Sequence, residues 1–436
     1  MEIRLKFGQR ELDLELSSRA EFTLLRTPEV HLTTTEAEVI EQALESPVAS
    51  HSFEEFFLPK DRVAVIVPDK TRKCKVHTVL PFLLERLERI GLSAKNFVLL
   101  FANGTHAHQS EAEKMSILGT KIYRKYPNKE NDAHDAPTFR TLGHTARGTP
   151  VSIHQSVASA DKVLVVSEVL HHYFAGFGGG AKMVMPGAAS YDSIVHNHRL
   201  TLTEDGDFHP LCYDGNLEGN PVYEDIVDAS RFYPPTFYFG VVLNEDGNIF
   251  HAIAGDIVEA HRKESLFADH YYSVPFPELA DLVIVSAGGA PRDVNFVQAH
   301  KSIHHAHYAV KEGGVILCVA ECSEGVGSET LLDWFKYSDR KEMGEALSSR
   351  YTLHGHTALS LRKKLDSSHI VLYSSLPSKP VSAMGMLPAS TPAEAIRTSE
   401  SFLPSRYTCL IIENGGTCLP RREQFSNSQS PRTVES

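Results

Sequence analysis

The densest run of chemically capable residues is His171-His172-Tyr173-Phe174-Ala175-Gly176-Phe177-Gly178-Gly179-Gly180-Ala181-Lys182-Met183-Val184-Met185-Pro186-Gly187. A glycine run lets the backbone approach a ligand closely and turn its N–H groups toward an anion. A lysine just beyond it can pair with phosphate, or act as a nucleophilic or tethering amine. The P-loop pattern GxxxxGK[ST] is excluded, because alignment on Lys182 puts Ala181 at the second glycine and Met183 at the Ser/Thr position. His172 precedes Lys182 by ten residues and His198 follows it by sixteen. Upstream stand Asp69-Lys70-Thr71-Arg72 and Gly104-Thr105-His106. Two histidines flanking a site suit proton transfer on opposite faces of a substrate, and a third can ligate a transition metal.

A second group falls on an expected helix over residues 295–311: Gln298, His300, Lys301, His304, His305 and His307. Gln298 and Lys301 are three apart and share a helical face suited to gripping a carboxylate. The histidines there read as a solvated helix face, since no ligand from another element is identifiable.

The elements that must position these residues alternate strand and helix. Continuous apolar runs at residues 62–67, 96–101 and 162–167 read as buried strands, and VLPFLLERLERI (79–90) as an amphipathic helix closed by Gly91. Such a series implies a parallel sheet covered on both faces, with ligands in the loops beyond the carboxyl ends of its strands. A hairpin is expected around residues 244–248, and a helix over 256–269 with Asp256 as its cap. YYSVPFP (271–277) reads as a linker. A fresh α/β series follows, with strands at 281–286, 314–320, 369–373 and 407–412. The expected plan is two α/β domains with mostly parallel sheets and an active-site cleft between them. Residues 1–272 would form an N-terminal cofactor-binding domain and 278–405 a C-terminal domain. Residues 406–420 are expected to return to the first domain, and 421–436 to form a disordered tail.

Composition narrows the function classes. The chain has 436 residues and a formal net charge of −12, which argues against a broad basic face for nucleic acid. No apolar run reaches the roughly 18–20 residues of a membrane span, and the N-terminus lacks the apolar core of a secretory signal. Six cysteines, none in a CxxC pair, are too sparse for a disulfide scaffold and read as buried thiols in a reducing cytoplasm. The 23 histidines keep metal and proton-transfer chemistry open.

Taken in order, DKTR (69–72), GTH (104–106), HHYFAGFGGGAKMVMPG (171–187), Asn197-His198 and GGAPRDVNFVQAHKS (288–302) resemble the lactate racemase family of nickel-pincer nucleotide enzymes. The resemblance implies a racemase or epimerase of 2-hydroxy acids, acting by proton-coupled hydride transfer. The cofactor it implies is a pyridinium-3,5-bisthiocarboxylic acid mononucleotide carrying nickel. Lys182 would tether this group through a thioamide, and His198 would ligate the metal. Gly179 and Gly180 would line its cradle, and Asp69 would contact its ribose. His106 and His172 would be the paired acid/base groups, while Arg72, Gln298 and Lys301 would orient the substrate. Cofactor-biosynthesis enzymes would be the protein partners. The sequence departs from the family in two places, where TRP becomes Thr71-Arg72-Lys73 and GTHRP becomes Gly104-Thr105-His106-Ala107-His108. The altered charge implies a 2-hydroxy acid other than lactate. Two alternatives stand beside this reading. A nicotinamide-dependent 2-hydroxy acid dehydrogenase lacks an early G-x-G-x-x-G, and a non-catalytic metal-handling protein would have no use for a tethering lysine.

Overall fold

The computed structural model describes residues 2–423. Two six-stranded sheets form its frame. In the first, the strands run in the spatial order Ile249–Asp256, Thr236–Leu243, Lys162–Glu168, Val63–Pro68, Phe97–Ala102, Asn128–Glu130. All neighbours are parallel except the first pair, which is the hairpin expected around residues 244–248. The second sheet is wholly parallel, in the order Leu387–Ala389, His369–Tyr373, Val310–Val319, Ala280–Ser286, Tyr407–Ile412, Ala20–Leu25. The α/β architecture with mostly parallel sheets is therefore as the apolar runs implied.

Alternation along the strands fixes what covers each face. Val63, Val65 and Val67 pack under the Val76–Arg89 helix, whose Val79, Leu80, Leu83, Leu84 and Leu87 form the apolar stripe read from the sequence. Ala64 and Ile66 face the other way, toward Phe174, Ala181 and Met185 of the glycine-rich segment. That segment is thus a lid over the sheet, and its glycines are held by core packing. In the second sheet, Val283 and Val285 pack on the Phe296–His307 helix, while Leu282 and Ile284 meet Leu5, Phe7 and Leu14.

The domain boundaries differ from the expected ones. The Glu2–Phe7/Arg10–Glu15 hairpin and the Ala20–Leu25 strand lie with the second sheet, although residues 1–272 were assigned to the first domain. Tyr407–Ile412 does not return to the first domain; it pairs with Ala280–Ser286 and Ala20–Leu25. The expected linker is ordered: Tyr271 and Tyr272 end the Glu259–Tyr272 helix, and Ser273–Phe276 pairs in parallel with Leu419–Arg422. Residues 421–422 of the expected tail thus belong to a strand, and the tail beyond 423 lies outside the described residues. All six cysteines are free and buried. Among the described residues, no helix is long and apolar enough to cross a membrane.

Buried histidines make this fold sensitive to acid. Burial pushes His154, His251 and His261 down to about 4 from an ordinary 6.5. The unfolded chain therefore takes up protons first as the pH falls. Their contribution to stability is complete above pH 6.5 and is lost as the pH drops toward 4. The thermal unfolding midpoint should fall steadily across that window, and a midpoint flat between those limits would contradict the assignment.

Candidate active site

In the first sheet the chain runs outward on one side of Val63–Pro68 and returns on the other, beginning at Lys162–Glu168. The crevice beyond the carboxyl ends of those two strands is a topological switch point, the ordinary ligand site of an open α/β sheet. Asp69–Arg72 leaves one strand there and His171–Lys182 follows the other, while Gly104–His106 follows the adjacent Phe97–Ala102. The second sheet has its own switch point between Ala280–Ser286 and Tyr407–Ile412. The loops after these strands bring Arg292 and Gly416 to the same cleft, with Gln298 and Lys301 on the helix that follows. Two adjoining cavities share Arg72, His172, Gly178 and Gly179; one contains Asp69, His106, Lys182 and His198, the other Arg292, Gln298 and Lys301. All ten residues singled out in the sequence fall on this cleft or line its glycine turn. A separate surface cleft of about 490 Å³, bordered by Arg26, Glu245 and Glu413, holds none of them.

Asp69 is 4% exposed and both its oxygens are in use. Oδ2 meets the Nδ1 of His106, and Oδ1 accepts from the Thr71 N–H at 2.8 Å and its hydroxyl at 2.6 Å. Burial pushes the carboxyl up, but His106, then Arg72 and Thr71, outweigh it and hold Asp69 well below the ordinary range. The residue expected at a ribose is here the carboxylate that orients His106.

The glycine turn closes by Gly178 N–H to Leu170 O at 2.8 Å and Gly180 N–H to Ser167 Oγ at 3.3 Å. At Gly179 (φ 78°) an added Cβ would stand 2.7 Å from Ser167 Oγ, and at Gly180 (φ 56°) 2.4 Å from the His261 ring. Only glycine fits either position. Lys182 follows on a single 3₁₀ turn with its ammonium 5.6 Å from the Phe174 ring centre. Burial, then the charge of Arg72, lowers its pKa well below that of an ordinary amine. His172 Nδ1 accepts weakly from the Ala175 N–H at 3.4 Å, leaving Nε2 free. Burial, then Lys182, Lys301 and Arg72, lowers its pKa well below that of an ordinary imidazole. His198 lies in the last turn of the Tyr191–Arg199 helix, with Nδ1 3.2 Å from Asn197 Oδ1. Burial and then His356 lower its pKa as well.

From the second domain, Lys301 Nζ donates to Gln298 Oε1 at 2.8 Å, the shared face read from the spacing. Burial, then Arg72 and Lys182, depresses the Lys301 amine. The neighbouring histidines correct the expectation of a solvated face: His300 is fully buried and His305 is 3% exposed. They face the first domain, where His304 Nε2 donates to Asp214 Oδ2 at 2.7 Å. Of the two departures in sequence, His108 turns outward to Glu130 and Asp132. Lys73 lines a cleft that also contains Arg72, and burial, then Arg292 and Lys6, lowers it to about 8.

Sequence reasoning missed three contributors. Glu168 ends the Lys162–Glu168 strand and pairs with Arg292 at 3.4 Å across the domains. Arg292 carries the same signal that picked out Arg72, a basic residue in a loop after a strand. His354 begins the Gly355–Leu365 helix in left-handed backbone (φ 66°). Burial and then the charge of His106 lower it to about 4, so the second domain brings a further imidazole toward the first-domain histidines.

The chain matches the family models described as lactate racemase N-terminal domain over residues 7–208 and lactate racemase C-terminal domain over residues 277–419. It is 28% identical to the lactate racemase of Thermoanaerobacterium thermosaccharolyticum, over 97% of this chain and 99% of that one. It is 33% identical to the lactate racemase of Lactiplantibacillus plantarum, over 69% of each. The solved apoprotein of the Thermoanaerobacterium enzyme superposes with a TM-score of 0.85 at 26% identity, covering 97% of this chain and all of that one. A Thermotoga maritima protein of 17% identity shares the fold, with a TM-score of 0.68 over 89% of this chain and 98% of that one.

Gly180→Ala combines positive φ with overlap on the His261 ring, so it should cost about 1–3 kcal/mol of stability. Urea unfolding checks this, and an unchanged midpoint would mean that the turn is not held as described.

Proposed function

The chain belongs to the lactate racemase family, and from that premise we propose that it inverts the C2 centre of a 2-hydroxy acid using a nickel-pincer nucleotide tethered at Lys182. Its family makes it an isomerase of hydroxy acids. The observation that carries the finer reading is the meeting of two imidazoles, His106 and His172, with the buried amines of Lys182 and Lys301 in one interdomain cleft.

The residues fit the group. The Lys182 amine, its pKa lowered by burial and by Arg72, is a buried primary amine suited to a covalent tether. Gly179 lines both cavities as bare backbone, the place of a Cβ at Gly179 and Gly180 being taken by Ser167 and His261. His198 offers an imidazole with Nδ1 anchored on Asn197 and Nε2 left for a metal, a donor suited to nickel. When bound, the nucleotide supplies a hydride acceptor, and the chemistry of that step is its own.

The protein's part is proton transfer and orientation. His106, oriented by the Asp69 carboxylate, and His172 supply one base for each face of the substrate, so that either enantiomer can lose and regain its hydroxyl proton. Arg72, Gln298 and Lys301 bind the carboxylate and hydroxyl. Arg72 lowers the pKa of both Lys182 and Lys301, and Lys182 adds to the effect on Lys301; an entering carboxylate offsets that repulsion. Lys73, next to Arg72, favours a substrate with a second polar or acidic group over lactate.

Three measurements test this. Protein co-expressed with the cofactor-making enzymes should carry nickel and a nucleotide-sized mass increment, both lost in Lys182→Ala; an unmodified, nickel-free parent would reduce the reading to a fold assignment. Asp69→Asn should lower kcat by roughly a hundredfold with a smaller change in KM. Across a panel of 2-hydroxy acids, kcat/KM should peak away from lactate, and a peak at lactate would sink the Lys73 argument.

A further inference from the structure

Two histidines of the Phe296–His307 helix that are left without a role by the chemistry above, His304 and His305, converge on one buried carboxylate. Asp214 belongs to the first domain, is 1% exposed, and lies between the Tyr191–Arg199 and Pro221–Ala229 helices. Its Oδ2 accepts from His304 Nε2 at 2.7 Å and from the Tyr308 hydroxyl at 2.9 Å, and His305 Nε2 stands 3.4 Å from Oδ1. Positions 304, 305 and 308 follow Lys301 by three, four and seven residues, so they extend the helix face that carries Gln298 and Lys301.

The same loop is joined to the strand end that carries His172. Gly215 N–H donates to Gly176 O at 2.9 Å, and Asn220 Nδ2 donates to Phe174 O at 2.9 Å. At Gly176 an added Cβ would stand 2.2 Å from Asn216 O, so the two loops are in backbone contact. Tyr173, next to His172, lies with its ring 5.7 Å from His300 and 5.5 Å from His304, and its hydroxyl meets Thr357 Oγ1 at 3.0 Å. The Nδ1 atoms of His304 and His305 have no hydrogen-bond partner, so His304 reaches the carboxylate through Nε2, and it is the Nε2 of His305 that stands near Oδ1.

We propose that Asp214 is a positioning residue: it sets the register of the helix bearing Gln298 and Lys301 against the loop bearing His172, and so fixes the substrate's carboxylate end relative to its base. A desolvated carboxylate adds little net stability, but it specifies one arrangement of its partners. This rests on the site assignments proposed above.

The test uses the cofactor-loaded enzyme and Asp214→Ala, Asp214→Asn and Tyr308→Phe. Because all six native cysteines are buried, spin labels can be attached at Leu58→Cys in the first domain and Lys341→Cys in the second, both at exposed positions. A displacement near 1 Å is worth roughly a hundredfold in rate. Asp214→Ala should therefore lose about tenfold to a hundredfold in kcat/KM, mostly through KM, and broaden the interdomain distance distribution. Asp214→Asn, which keeps one acceptor, should recover part of both. If Asp214→Ala does not fold, Tyr308→Phe decides, with a smaller rise in KM expected and an unchanged KM overturning the proposal. Parent-like KM and distances in Asp214→Ala would overturn it, as would lost activity at an unaltered distance distribution. A parent that turns over no 2-hydroxy acid would overturn the functional reading instead, and the label distances would then judge Asp214 alone.

Discussion

Positive charge held out of water is the constraint around which this molecule is organised. Arg72, Lys182 and Lys301 lie within one another's fields, and burial is the leading cause of the depressed pKa of both lysines. Asp69 is nearby, but its oxygens are committed to His106 and Thr71. Glu168 is turned to Arg292. Under the proposed function, an anion entering such a cleft would offset this repulsion. The same desolvation is the leading cause of the lowered pKa of His172.

The sheets explain how such an arrangement is reached without long structureless loops. Each sheet reverses its strand order once, and the two reversal points face a common cleft. Residues far apart in sequence thus arrive on short tethers from strand ends whose backbone is fixed by ladder bonds on both sides. The Phe296–His307 helix is the exception, since its side chains reach the site across a domain boundary. Its placement depends on groups that grip its far end.

Much of this was legible in the sequence wherever burial is two-sided. Strands such as VAVIVP and DLVIVS announce themselves as continuous apolar runs, and the loops after them carry the reactive residues. The Ala20–Leu25 strand did not announce itself, because it lies on an edge with four of its six residues exposed and has no apolar run. Ser273–Phe276 carries Pro275, which argues for a linker, yet a strand in a two-stranded pair accommodates it. The site histidines were legible by spacing, whereas the partnership of Asp69 with His106 and the burial of His300 and His305 were not. Both arise from contacts 37 or more residues apart in sequence, and composition holds no trace of them.

The second sheet is assembled from both ends of the chain. Its Ala20–Leu25 strand is threaded early, but its neighbour among the described residues, Tyr407–Ile412, follows some 380 residues later. The strands of the first sheet all lie between residues 63 and 256. During synthesis, the first domain can therefore close on itself while the Ala20–Leu25 strand waits unpaired for some 380 residues. Phe22 and Leu24, which are exposed even in the finished fold, are the side chains most open to wrong partners during that wait. The order in which the ribosome delivers the chain thus leaves the interdomain cleft to form last, when the C-terminal strands dock.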